Sequence, residues 1–202
     1  FLSSIVSFSF IIFFFIFLLF FLAFLEYDII LKSLENFEEA LEEFKKCIDL
    51  NSENPVPYYE SAIIYKLFAQ GELALECSKK AYYLNKENIW YQLLYAELLA
   101  TNGYSVKASI IYKQLIKKYP GNEEYYLLLA DNYIYDRKFS EAIKTYNQLE
   151  KYKGADKNII IQKQKLYIEN NDLKGAITEI KKLIEIDNTD LQAYEILSEL
   201  YL

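Results

Sequence analysis

Histidine and methionine are absent from all 202 residues, and the chain has only five glycines, three prolines, two cysteines and one tryptophan. Without histidine it lacks the usual general base near neutral pH and the commonest metal ligand. Scarce glycine leaves no glycine-rich loop to cradle a phosphate, and no serine or cysteine has an activating partner for nucleophilic chemistry. The missing initial methionine points to a fragment or a processed form. Cys47 and Cys77 form no CxxC or Cys/His pattern and read as buried thiols, with a disulfide or a reactive thiol as the alternatives.

An excess of positive charge is missing too. The formal net charge is −7, all of it after residue 25, which disfavours nucleic acid and a polybasic lipid-binding surface as partners. Acidic pairs such as Glu38 and Glu39 or Glu123 and Glu124 read as solvated charge at helix starts rather than as an acid and base. No catalysis, metal or cofactor is expected.

What is present divides at Glu26. Residues 1–25, FLSSIVSFSFIIFFFIFLLFFLAFL, are uncharged and hold ten of the fourteen phenylalanines but none of the twenty tyrosines. A helix of that length spans a hydrocarbon core of about 30 Å, so the run reads as a transmembrane or signal-anchor segment. It has no basic start or small-residue cleavage site to mark a removed signal. The competing reading is a thymine-rich coding stretch translated in error. Lys32 stands among acidic residues, which places the repeats outside the cytoplasm if the segment is an anchor. They are cytoplasmic if it is an artefact.

The remaining residues, 26–202, are periodic. Ala40, Ala74, Ala108, Ala142 and Ala176 stand 34 residues apart. Four residues later come Phe44, Ser78, Tyr112, Tyr146 and Ile180, and seven later come Cys47, Ala81, Leu115, Leu149 and Leu183, all on one helical face. Twelve residues before the later alanines stand Ala62, Ala96, Ala130 and Gln164 on a preceding helix. The pattern predicts helices over Phe37–Leu50, Glu72–Leu84, Ser105–Tyr119, Phe139–Tyr152 and Leu173–Ile186. Each after the first is preceded by a partner, at Pro55–Phe68, Ile89–Thr101, Glu123–Tyr135 and Lys157–Glu169, with a last one at Asp190–Leu202. One such pair cannot bury its apolar face alone, but a stack shares a continuous core.

With each alanine set at position 20, an aromatic fills position 4 (Tyr58, Tyr126, Tyr194), leucine fills position 7 (Leu129, Leu197) and proline fills position 32 (Pro120). This resembles the tetratricopeptide repeat. The stretch YLLLADNYIYDRKFSEAIKTYNQLE from Tyr126 is the best match. Gln92 and Ile160 depart at position 4, and Lys163 and Gln164 stand where leucine and a small residue belong. The resemblance implies an all-α, right-handed superhelical solenoid of antiparallel helix pairs. Its units fall at 21–54, 55–88, 89–122, 123–156 and 157–190, with a partial unit at 191–202 and further sequence expected beyond it. Asp28 occupies the small-residue position of the first unit.

In this family the concave groove is built from a few positions of each first helix. Carried over, these give Tyr59, Glu60 and Ile63, then Trp90, Leu94 and Glu97, then Leu127, Asp131 and Tyr135, and finally Lys165. The lysine and asparagine clamp with which co-chaperone members hold a terminal carboxylate is missing, since Tyr59, Ile63, Leu94, Glu124 and Leu128 stand there. With the apolar run 1–25 as the tether and Glu60, Glu97 and Asp131 in the groove, the resemblance implies a membrane-tethered, non-enzymatic scaffold of bacterial type that binds a protein or peptide, apolar with basic residues. A self-associating structural subunit, or an accessory component of an envelope or secretion assembly, is the alternative.

Overall fold

The computed structural model describes residues 36–201. The apolar run 1–25 and Asp28 lie outside them. Among the described residues all regular structure is helical: α1 (36–50), α2 (Pro55–Leu67), α3 (Gly71–Leu84), α4 (Ile89–Thr101), α5 (Ser105–Lys118), α6 (Glu123–Tyr135), α7 (Phe139–Lys153), α8 (Lys157–Glu169), α9 (Leu173–Ile186) and α10 (Leu191–Glu199). Boundaries follow the predicted ones closely, except that α10 stops short of the expected end. No described helix is long and apolar enough to cross a membrane.

Two local devices, each repeated every 34 residues, cut the chain into these helices. Asn54, Asn88, Asn122, Asp156 and Asp190 precede the first helix of successive units, and each side chain accepts a backbone amide of the first turn. That satisfies one of the amides a helix start leaves orphaned. Inside each unit the first helix ends with one residue at positive φ: Ala69, Gly103, Arg137 and Asn171. The next amide then turns back, as in Gln70 N–H to the Tyr65 carbonyl at 2.8 Å and Tyr104 to Leu99 at 2.7 Å. This closure consumes the helix's last carbonyls and reverses the chain in three residues, so the second helix packs antiparallel on the first.

The recurrent alanines sit at the crossings. Ala74, Ala108, Ala142 and Ala176 are completely buried, as are Ala62, Ala96 and Ala130 on the first helices. From α2 to α10 consecutive helices pack on one another, so stability passes between neighbours, as in a one-dimensional stack. Cys77 is half-buried, whereas Cys47 is exposed, against the expectation of two buried thiols.

The departures from the repeat pattern have physical answers. Tyr126 at position 4 donates its hydroxyl to the Pro120 carbonyl at 3.1 Å, and Gln92 at the same position donates Nε2 to the Lys86 carbonyl at 2.7 Å. The amide thus replaces the phenol as the donor that ties a helix to the preceding turn. Lys163, at a leucine position, is 0% exposed. Its Nζ lies 2.6 Å from Glu150 Oε2 and 2.9 Å from Glu179 Oε2, while Lys182 meets the other Glu179 oxygen at 2.9 Å. The Lys163–Glu179 contact is an ion pair too bent to be a hydrogen bond, and that oxygen has no hydrogen-bond partner among the described residues. Four charges therefore join α7, α8 and α9, where the units on either side carry Leu129 and Leu197 at the place of Lys163 and Ile116 and Ile184 at the place of Glu150.

Candidate functional site

The ten residues assigned to the groove do not share one environment. Trp90 and Tyr135 are 68% and 75% exposed, so the indole does not serve to cover the neighbouring helix pair. Asp131 and Lys165 are also exposed, while Tyr59, Glu60, Ile63, Glu97 and Leu127 are half-buried. Leu94 is a correction: it is buried to 7% in a cluster with Ala62, Ala74 and Leu98. Its position points between two units rather than across the surface, and the small side chains of Ala62 and Ala74 leave room that a leucine fills.

The structure gathers part of this set into two hollows. One, of about 300 Å³, is walled by Glu97, Ala100, Leu128, Asp131 and Tyr135, with Tyr112 and Asn132 also lining it. The other, of about 360 Å³, is lined by Leu127 and Asp131 together with Glu123, Tyr146, Ile159 and Gln162. Asp131 belongs to both. Lys165 lies apart in a third hollow with Lys157, Ile161 and Ile196. Tyr59, Glu60, Ile63 and Trp90 line none of these, and Tyr59 instead tilts against Tyr91 with ring centroids 4.9 Å apart.

Tyr112 and Tyr146 do not stand out in the sequence as lining residues because they belong to the second helices, where their position is a packing one. Both are buried. The signal was that each is tyrosine rather than phenylalanine, for a phenol needs a polar outlet at the end of a buried ring. Burial first, and then the charges of Glu97 and Asp131, push the Tyr112 phenol above its ordinary range. Burial and Asp131 push Tyr146 up to about 12.

Charge is distributed unevenly round the site. Among the described residues no lysine or arginine lines either of the two hollows. On the second-helix side, α5 carries four lysines and no acid. Glu97 is paired with Lys66 at 2.5 Å, and Glu123 with Lys153. Asp131 has no such cation among the described residues, and although exposed by area it is desolvated enough by the hollow walls to hold its carboxyl above the usual range.

No protein-family model and no curated protein matches the sequence. Solved structures do match the fold. MamA (residues 41 to the end) from Desulfovibrio magneticus RS-1 superposes with a TM-score of 0.60 at 17% identity, over 77% of this chain and 88% of that one. YrrB, described as a TPR protein with an unusual peptide-binding site, gives 0.61 at 16% identity, over 83% and 86%. Naa15/Naa10 bound to HypK-THB gives 0.67 at 16% identity, over 84% of this chain and 27% of that one. The fold is the tetratricopeptide repeat. In a tetratricopeptide array the first helices of successive units line one continuous surface, and the two hollows that meet at Asp131 lie on it.

Proposed function

We propose that this tetratricopeptide array is a non-enzymatic scaffold that holds an extended segment of a partner protein on its first-helix surface, the segment being apolar with basic residues. The observation that carries this reading is the pair of hollows between α4 and α8, walled by aliphatic and aromatic groups and bearing only negative charge. Exposed aromatic groups at such a place are the usual anchors of a protein interface. Structural likeness to a protein described as having a peptide-binding site supports the same reading by analogy.

A photo-crosslinking residue placed at Tyr135, compared with one at Ile110 on the second helix α5, tests it in the host cell. Adducts with another protein from position 135 and not from 110 are expected. Adducts from 110 alone, or only with a second copy of this chain, overturn the reading, and the second result favours the self-associating alternative.

The membrane tether through residues 1–25, with the repeats outside the cytoplasm, is proposed from the sequence alone. Alkaline carbonate extraction leaves the chain in the membrane pellet if the tether is real and releases it if not. A protease added outside the cell then cuts the repeats only if they face outward.

A further inference from the structure

The two hollows differ from the rest of the surface in what their polar atoms lack. Glu97 and Glu123 already face lysines, and Asp156 is occupied by the amides of Asn158 and Ile159 at the start of α8. Asp131 has neither a cation nor a hydrogen-bond donor among the described residues, and it is the wall both hollows share. Beside it Asn132, 5% exposed, donates Nδ2 to the Ser105 carbonyl at 3.0 Å, and its Oδ1 is buried with no partner. That bond fixes which end of the amide is the oxygen, since a carbonyl can only accept. The junction therefore presents an unmatched carboxylate between apolar walls, with no cation among the lining residues.

Such a place favours one kind of occupant. A ligand acceptor or acid would add repulsion, and a purely apolar side chain would strip water from Asp131 without replacing it. A lysine or arginine brings donors and a positive charge, and its aliphatic stem lies along Leu128 and Tyr135. We infer that the junction at Asp131 seats a single lysine or arginine side chain of the bound segment, with apolar residues two positions before and after it lying over the two hollows. Alternate residues of an extended segment share one face, which sets that spacing. The inference rests on the groove reading proposed above and narrows its ligand to one basic anchor.

The test is selection from a random linear peptide library on the full chain in three forms: wild type, Asp131→Asn and Tyr135→Arg, the two changed residues both being exposed. Wild type is expected to enrich peptides with one basic residue and apolar residues at alternate positions around it. Replacing that basic residue by norleucine weakens binding to wild type by about fivefold and leaves binding to Asp131→Asn unchanged. Enriched peptides with no basic bias, or an Asp131→Asn protein that discriminates as wild type does, overturn the anchor while the groove reading stands. Enrichment that survives Tyr135→Arg, or none in any form, removes the groove reading and the anchor with it.

Discussion

Restoring the family's own residue at position 7 of the fifth unit, Lys163→Leu, should destabilise this protein. By repeat logic the change is an improvement, because Leu129 occupies the same place one unit earlier and is almost fully buried. Lys163, however, is one of two cations facing two carboxylates, with Nζ 2.6 Å from Glu150 and 2.9 Å from Glu179. Leucine keeps much of the buried hydrocarbon and removes the charge. Glu179, 3% exposed, then shares Lys182 alone with Glu150, and one negative charge is left in a site from which water is excluded. Breaking a buried pair from one side costs about 3–5 kcal/mol, whereas replacing all of its members by apolar groups is often neutral or better. The triple change Lys163→Leu, Glu150→Leu, Glu179→Met should therefore recover most of what the single change loses. Urea unfolding followed by far-UV circular dichroism measures the total. Amide hydrogen exchange locates it, since nearest-neighbour coupling confines the loss to α7 through α10 and leaves α4 and α5 protected. A single variant within about 1 kcal/mol of wild type, or a triple variant no better than the single, would refute the claim that these charges act as a unit.

Further outcomes follow from the turns and caps. Ala69 holds φ at 55° with no glycine's freedom, so Ala69→Gly should raise stability by about 0.5–1 kcal/mol in the same urea experiment, less whatever glycine adds to unfolded-state entropy. Gly175→Ala should do the reverse despite alanine's better helix propensity, because its methyl group would overlap the Tyr167 ring; a loss of about 1–3 kcal/mol is expected in a thermal melt. Lys157 at 2.8 Å and the Ala193 amide hold the Asp190 carboxyl below the usual range. A carboxyl depressed by folding stabilises fully above its ordinary pKa and loses that contribution as pH falls through the depressed value. Exchange of α10 amides should accordingly rise below about pH 4, earlier than that of α6. Asp131 is shifted the other way by burial. Asp131→Asn should thus gain a little stability at neutral pH while losing the choice of basic ligands, with melting temperature and peptide selection read on the same protein.

Much of the architecture was legible because it rests on contacts between residues close in the chain. The 34-residue alanine register placed nearly every helix boundary, since a small residue at a crossing and an apolar face at helical spacing act locally. A second register, the Asx residues from Asn54 to Asp190, lies equally open in the sequence. The turns were legible only in part. Gly103 and Asn171 are residue types that advertise positive φ, but Ala69 and Arg137 adopt it because the crossing of the two helices demands it. Gly71 shows the opposite, a glycine at a place that needs no positive φ. It lies in the helix and gives way to the Asn102 side chain, whose Oδ1 would stand 2.8 Å from an added methyl group.

By itself the sequence determined a stack of helix pairs, the places where helices start and stop, and the absence of histidine chemistry, all matters of composition and short-range spacing. Which side chains meet across units was decided by the tertiary structure alone. It drew Leu94 into the core, set the buried Tyr112 and Tyr146 in the walls of the two hollows, and paired Lys163 with carboxylates thirteen and sixteen residues away. Among the described residues it left Asp131 without a partner between two hollows. Burial and charge pairing depend on distances between helices, and the repeat pattern records only the small residues that permit the helices to approach.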